Sequence, residues 1–210
     1  MSRRRLGHLA KLAVSAVDRV LPSARNVDIP VVWASRYGDA EKALGLLRTQ
    51  ALDEPLSPTA FGLSVHNAVG AQHSILRGIR ANSVCVASSC CVPEAGAVEA
   101  VSLLADGDPE TAEVLLVCYD EPLPPEYAVF HDEPVAEYAW AVLLRPHRAG
   151  GRGFTLQARD SAPQGDSHGV HPPAALPHGL DVLHFLLQDE RQSLVHRHAS
   201  GEWVWERVHA

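Results

Sequence analysis

Four short runs of apolar and β-branched residues constrain the fold more than any other feature of this sequence. Residues 29–35 (IPVVWAS), 84–88, 113–119 (EVLLVCY) and 138–145 are each long enough for one strand. Runs that are apolar throughout, without polar alternation, are typical of strands buried on both faces of a sheet. The sequence therefore predicts a sheet at the centre of the molecule, with other elements packed on both sides of it.

Helical segments separate these runs. Residues 40–50 carry an apolar stripe and follow Asp39, a residue type that caps helix N-termini. Residues 63–76 and 93–105 also have helical patterns, and Gly107 ends the second of them. The order of strand, helix, helix, strand, helix, strand and strand predicts a layered α/β domain, with a mixed β-sheet flanked by helices.

The first segment, residues 1–26, is predicted to form an amphipathic helix ahead of a single domain at residues 27–210. The helix is expected to pack on the domain or on a partner and to end at Pro22. Charged residues interrupt its apolar run, so it lacks the core of a secretory signal, and no segment is long enough to cross a membrane. Its apolar residues fall on one face at helical spacing: Leu6, Leu9, Ala10, Ala13, Val17 and Leu21.

The C-terminal part changes in composition. Residues 153–158 predict a strand, and residues 161–179 predict a loop because they are rich in Pro, Gly and Ser. Residues 180–187 predict a helix. Two alternating segments, residues 193–198 and 202–208, predict a hairpin, and its Trp203 and Trp205 would share one face and fill the core.

Charge and cysteine usage limit the partners and the compartment. A net charge of −7 argues against nucleic-acid binding, because a surface that neutralises phosphates is normally basic. The four cysteines include an adjacent pair and have no spaced disulfide framework. This pattern favours a reducing compartment, and we expect a cytoplasmic location.

Cys90 is the candidate reactive group. It lies with Cys91 between the strand at 84–88 and the helix at 93–105. A thiol at such a turn faces unpaired N–H groups and the positive end of a helix dipole, which favour the thiolate. The alternative is that both cysteines are buried small apolar residues.

Histidines in the C-terminal part raise a metal site as an alternative. His196 and His198 would lie on the same strand face, but spacing fixes no carboxylate or cysteine beside them. We therefore expect no metal and no cofactor, with the histidines solvated. The histidines in question are His168, His171, His178, His184, His196 and His198.

The central stretch contains a set of spaced residues: Ser57-Pro58, Asn67, Gly70, Ser74-Ile75, Gly78 and the run Val86-Ala87-Ser88-Ser89-Cys90. In these residues it resembles the N-terminal half of a β-ketoacyl synthase of the thiolase superfamily. In that family, a Ser-Pro segment leads into an Asn-containing helix, a strand and the nucleophilic cysteine. More specifically, the segments at residues 53–61 (DEPLSPTAF), 64–68 (SVHNA) and 120–124 (DEPLP) resemble the short β-ketoacyl-synthase-like proteins of aryl-polyene and xanthomonadin-type pigment pathways, which are similar to chain-length factors.

The resemblance implies a thiolase-like half with a five-stranded sheet and places Cys90 at the nucleophile position. Condensing enzymes of this family take two histidines from a second half that this chain lacks. The resemblance therefore implies a non-condensing, chain-length-factor-like subunit that forms a heterodimer with a complete β-ketoacyl synthase. Acyl carrier protein would be reached through that complex. Two alternatives remain open: an acyl-transferring or acyl-parking thiol protein that uses Cys90, and a homodimeric structural remnant.

The resemblance also implies where the partner binds. Thiolase-like halves pair edge to edge through the strand before the nucleophile, which here is residues 84–88. The helices beside that strand contribute to the wall of the acyl pocket. The residues expected at this pocket and interface are Phe61, Val65, His66, Asn67, Val84, Val86 and Ser88.

Overall fold

The computed structural model of the protein describes residues 6–21, 28–148, 151–160 and 175–208. Within these residues the helices are α1 His8–Val20, α2 Ala40–Ala51, α3 Pro58–Ser64, α4 Ala68–Arg77, α5 Val92–Ala105 and α6 His178–Leu187. The strands are β1 Val31–Ala34, β2 Ser83–Val86, β3 Val114–Asp120, β4 Tyr138–Leu144, β5 Gly153–Arg159, β6 Ser193–His198 and β7 Gly201–Val208. A 3-10 helix covers Pro125–Phe130.

The central sheet is mixed, as predicted, with the strand order β2-β1-β3-β4. Strands β2 and β3 both run parallel to β1, whereas β4 is antiparallel to β3. In the described part of the chain this sheet has four strands, not the five that the resemblance implied. Strand β5 pairs instead with β7, which also pairs with β6, and these three form a separate antiparallel sheet.

Both faces of the central sheet are buried, which explains its uninterrupted apolar runs. Side chains alternate between the two faces along a strand, so Val31 and Trp33 face α1 and α4. Val32 and Ala34 contribute to the opposite core, with α5, α6 and β7. The sheet and these helices therefore form the layered arrangement that the sequence predicts.

Helix α1 packs its predicted apolar face into the first core. All six predicted residues of that face are buried, and Asp18 near its end forms an ion pair with Arg77 of α4. The predicted helix stop at Pro22 and the division between residues 26 and 27 lie outside the described residues. The division into a helix and one domain therefore stays a prediction. Within the described ranges, no helix is long and apolar enough to span a bilayer.

The single helix predicted over residues 63–76 is wrong, because the structure has two helices there. Helix α3 begins earlier, where Ser57 Oγ accepts a hydrogen bond from Ala60 N (3.2 Å). The chain is extended at Val65 (φ −70°, ψ 150°) before α4 starts after Asn67. A tertiary contact accounts for the break, since His66 Nε2 donates to the Ser35 carbonyl oxygen at the end of β1 (3.0 Å).

Gly96 allows helix α5 to lie close to the central sheet. A Cβ at this position would be 2.8 Å from Leu116 Cδ1 and 2.9 Å from Ala34 Cβ. We expect Gly96→Ala to lower the free energy of unfolding by about 1–3 kcal/mol, because the methyl group would push α5 away from the sheet. Urea unfolding of the variant measures this effect.

Gly45→Ala in α2 is the matched control for that substitution. Among the described residues, none lies within 4 Å of a Cβ at Gly45. Alanine also favours a helix over glycine, so this change should raise the free energy of unfolding by about 1 kcal/mol. Equal effects of the two substitutions would contradict the close packing of α5.

Candidate functional site

Cys90 and Cys91 lie in the short turn between β2 and α5. Cys91 caps the N-terminal end of α5 and is buried, whereas Cys90 is half-buried. Their sulfur atoms are 3.1 Å apart. The backbone N–H of Cys91 donates to Ser88 Oγ (3.3 Å). Both thiols are thus at a strand-to-helix turn, as the sequence predicts, and the role of Cys90 stays a prediction.

Burial keeps three of the thiols protonated. It raises the pKa of Cys91, and a hydrogen bond with Cys90 and the charges of Cys90 and Glu94 raise it further. Burial also raises the pKa of Cys85 to about 11 and that of Cys118 well above its ordinary value. Because the thiolate is the nucleophilic form, these three residues are poor nucleophiles at neutral pH.

Glu94, in the first turn of α5, places a carboxylate in the protein interior. It is fully buried, and its Oε1 accepts hydrogen bonds from His178 Nε2 (2.7 Å) and Trp205 Nε1 (2.8 Å). Burial alone would raise the pKa of Glu94, but the hydrogen bonds and the charge of His178 outweigh it and hold the pKa below its ordinary value. The Oε2 atom has no hydrogen-bond partner among the residues that the structure describes.

His196, on β6, reaches the cysteine turn from the far end of the chain. Its Nε2 lies 3.1 Å from the carbonyl oxygen of Cys90, which can only accept, so Nε2 carries the proton. Its ring stacks on that of His178, with centroids 3.5 Å apart. Burial and the charge of His178 lower the pKa of His196 to about 4, so the ring is neutral at pH 7.

The two thiols and one histidine form a compact cluster. A ring nitrogen of His196 and the sulfur atoms of Cys90 and Cys91 all lie within 4.8 Å of one another. His198, the residue paired with His196 in the sequence-based metal alternative, instead contacts Ser200 Oγ through Nδ1 (3.1 Å). Two other C-terminal histidines, at positions 168 and 171, lie outside the described residues.

Sequence reasoning missed the residues that surround the cysteine turn: Glu94, His178, His196 and Trp205. The contact of His196 with Cys90 joins residues 106 positions apart, so no local spacing signals it. One local sign exists, since Glu94 is the only charge in the otherwise apolar segment 92–98. A carboxylate buried with such a segment needs polar partners.

The sequence predicts that Trp203 and Trp205 both fill the core. Trp205 is fully buried as predicted, whereas Trp203 on the same strand is only half-buried.

An open depression of about 690 Å³ lies beside the cysteine turn. Ser88 is the residue of the predicted pocket set that lines it. The depression is bounded by the end of β1, by the loop after β2 and by the 3-10 helix. Its lining residues are Arg36, Tyr37, Ala87, Ser88, Ser89, Val129, Phe130 and Asp132.

Asp120 fixes one wall of this depression. Its buried carboxylate accepts hydrogen bonds from Ser35 Oγ (2.8 Å) and from the backbone N–H groups of Arg36 (2.9 Å) and Tyr37 (3.2 Å). Burial raises the pKa of Asp120, and these hydrogen bonds oppose the rise. The Arg36 side chain then reaches across to Asp132, with Nη1 2.6 Å from Oδ1.

The other predicted pocket residues fall into two groups. Val84 and Val86 are half-buried on β2. Phe61 and Val65 are exposed near the junction of α3 and α4, with relative exposures of 64% and 36%. Of the remaining two residues, His66 is half-buried against the end of β1, and Asn67 is exposed at the start of α4.

Strand β2 is an edge strand of the central sheet. It pairs only with β1 within the described chain, so its other side offers free backbone donors and acceptors. The two helices that contact β2, α4 and α5, both expose apolar side chains. These are Ile75 on α4, 67% exposed, and Val98 and Val101 on α5, 45% and 53% exposed.

The comparisons with known proteins agree with this arrangement. Residues 1–206 match the family model for the β-ketoacyl synthase N-terminal domain. A solved structure of the ketosynthase ApeO in complex with its chain length factor ApeC, from Xenorhabdus doucetiae, contains a chain 27% identical to this one. That match covers 98% of this chain and 79% of the other, with a TM-score of 0.75.

A second solved structure, the ishigamide ketosynthase/chain length factor, is similar in fold alone. It is 17% identical, the match covers 74% of this chain and 49% of the other, and the TM-score is 0.61. Among curated proteins, no significant match is found. Because the family model spans nearly all of its residues, this thiolase-like chain belongs to the β-ketoacyl synthase N-terminal domain family.

Proposed function

We propose that this chain is a non-condensing, chain-length-factor-like partner of a complete β-ketoacyl synthase. The observation that carries the proposal is the open edge at β2, next to helices that expose apolar residues. An edge strand of this kind is prone to pair with another chain. The similar solved structures support the choice of partner, because both are described as ketosynthases with chain length factors.

The arrangement around Cys90 supports a non-condensing role. Condensation requires a thiolate to hold the acyl chain and positioned donors to stabilise the developing enolate. The two histidines next to the turn are already engaged, because His178 Nε2 binds Glu94 and His196 Nε2 binds the Cys90 carbonyl. Neither N–H is then free to serve a substrate.

In the proposed pair, this chain contributes a wall to the pocket of its partner. The wall consists of the residues around β2 and the α3–α4 junction, and acyl carrier protein delivers the growing chain to the complex. The products are polyene pigments of the aryl-polyene or xanthomonadin type. The wall residues are Phe61, Val65, His66, Asn67, Val84, Val86 and Ser88.

The test is to combine the chain with a pathway ketosynthase and acyl carrier protein and to measure product masses. We expect Cys90→Ala to leave the amount of product within about twofold of the unmodified pair, because the partner supplies the chemistry. Val65→Phe should shorten the products, since a larger wall residue changes which chain fits by about 1–3 kcal/mol per methylene.

Val135→Phe is the matched control for the wall variant. Val135 is exposed like Val65, with a relative exposure of 55%. It precedes β4, at the opposite edge of the central sheet. It should leave product length unchanged. Loss of all products in a folded complex containing Cys90→Ala would contradict the non-condensing role.

A second candidate function is an acyl-transferring or acyl-parking thiol protein that uses Cys90. The proximity of His196 to the two sulfur atoms favours it, since a histidine next to a cysteine can act as its base. Incubation of the chain alone with an acyl thioester, followed by peptide mass mapping, distinguishes the two. Acylation of Cys90 without a partner would favour the thiol protein, and its absence favours the chain-length-factor-like subunit.

A further inference from the structure

We propose that Cys90, Cys91 and His196 form a binding site for one soft or borderline transition-metal ion of the Zn²⁺ type. Two thiolates and an imidazole are the ligands that such ions prefer in proteins. The site lies in the chain itself and is independent of any partner subunit.

The spacing of the three donors suits a tetrahedral ion. Zinc is bound at about 2.3 Å from sulfur and about 2.0–2.1 Å from imidazole nitrogen, which puts neighbouring ligand atoms about 3.5–3.8 Å apart. Here the two sulfur atoms are 3.1 Å apart, and all three donor atoms lie within 4.8 Å of one another. Small side-chain movements would therefore complete the geometry.

Glu94 provides an independent observation that points to a cation. It lies three residues after Cys91, the N-cap residue of α5, and its Oε2 is buried without a hydrogen-bond partner in the described part of the chain. Its other oxygen binds His178, whose ring stacks on His196. The buried carboxylate therefore lies one stacked ring away from a proposed ligand, where its negative charge favours a cation.

The environment also allows an ion to enter. Cys90 and His196 are half-buried, so the ion would keep one coordination position open to solvent or to a ligand. Binding would convert both thiols to thiolates and release two protons, so affinity should rise with pH. Two thiolates and a neutral imidazole would balance the charge of a divalent ion.

Cobalt(II) titration of the full, untagged chain under a phosphine reductant tests the site. Co²⁺ is a spectroscopic substitute for Zn²⁺, and thiolate ligands give it an intense near-ultraviolet charge-transfer band. We expect this band to saturate at one equivalent of Co²⁺ and to disappear when Zn²⁺ is added. Cys91→Ser should reduce the band, and His196→Asn should weaken binding at least about 100-fold.

The matched control is His198→Asn, which changes a histidine on the same strand outside the cluster and should leave binding unchanged. Glu94→Gln should weaken binding about 10-fold, because it removes the charge behind the ligands but keeps the shape. If Glu94→Gln does not fold, the comparison of His196→Asn with His198→Asn decides whether the cluster binds the ion. Absence of the charge-transfer band in the reduced protein would overturn the proposal, as would equal weakening by His196→Asn and His198→Asn.

Discussion

Cys85→Pro is expected to abolish the proposed pairing with a ketosynthase and to leave this chain folded. Strand β2 bonds to β1 through alternate residues, since Val31 N donates to Asn82 O and Ser35 N donates to Val86 O. In a parallel ladder, every second residue of a strand bonds to the neighbouring strand. Residues 82, 84 and 86 therefore face β1, and the backbone groups of Ser83 and Cys85 point away from it. Cys85 therefore offers its N–H at the open edge, and proline at this position leaves the bonds to β1 in place.

The expected loss of affinity is at least about 100-fold, which corresponds to about 3 kcal/mol. Proline removes the donor at the edge and puts a ring where the other strand would lie, which leaves an acceptor of the partner unsatisfied. Cys85→Val is the matched control, because it keeps the N–H and should pair normally. Analytical ultracentrifugation measures the association, and circular dichroism measures folding. Undiminished pairing by Cys85→Pro would mean that the subunits use another surface.

His73→Phe is expected to reduce the acid sensitivity of the fold between pH 8 and pH 5. His73 lies on α4, is only 2% exposed and packs edge-on against Trp33, with ring centroids 5.1 Å apart. Neither ring nitrogen has a hydrogen-bond partner among the described residues. Burial, and then the charge of Arg77, lower its pKa from 6.5 to about 4.

The sign of the effect follows from where the protons bind. Between pH 6.5 and about 4, the unfolded chain protonates this ring while the folded protein does not, so stability falls as the pH falls. At pH 5 the loss from His73 is about 2 kcal/mol relative to pH 8. Phenylalanine has a similar shape and binds no proton, so the variant should lose about 2 kcal/mol less over this range.

Urea unfolding of the isolated chain at pH 8 and pH 5 measures this difference. His147→Phe is the control for replacing a histidine with phenylalanine, because His147 is exposed. If His73→Phe and the unmodified protein lose equal stability between the two pH values, His73 is protonated in the folded state and the assigned environment is wrong.

Local patterns predict most of the fold because burial imposes them. The apolar runs of β1 and β3 reflect a sheet covered on both faces, and the apolar stripe of α1 reflects its packing on that sheet. The break before α4 was missed because a contact between His66 and Ser35, not the local sequence, decides it. The second sheet was missed for the same reason, since the pairing of β5 with β7 joins segments that are distant in the chain.

The candidate site, like the fold, could be predicted from the sequence only where its parts are close in the chain. The position of Cys90 at a strand-to-helix turn could be predicted, because strand, turn and helix are consecutive in the sequence. The groups around it could not, since His178 and Trp205 lie 84 and 111 positions from Glu94. Only the fold brings those residues together, and no spacing rule connects them.

The buried carboxylate of Glu94 also constrains the order in which this protein can fold. The two residues that bind its carboxylate, His178 and Trp205, are synthesised after all of α5. Until then, the first turn of α5 cannot enter the core without an unpaired charge, which would cost several kcal/mol. We therefore expect the second face of the central sheet to close only after α6 and β7 are present. Packing of α5 is thereby coupled to residues 178–205, and contacts of such long range are expected to slow folding.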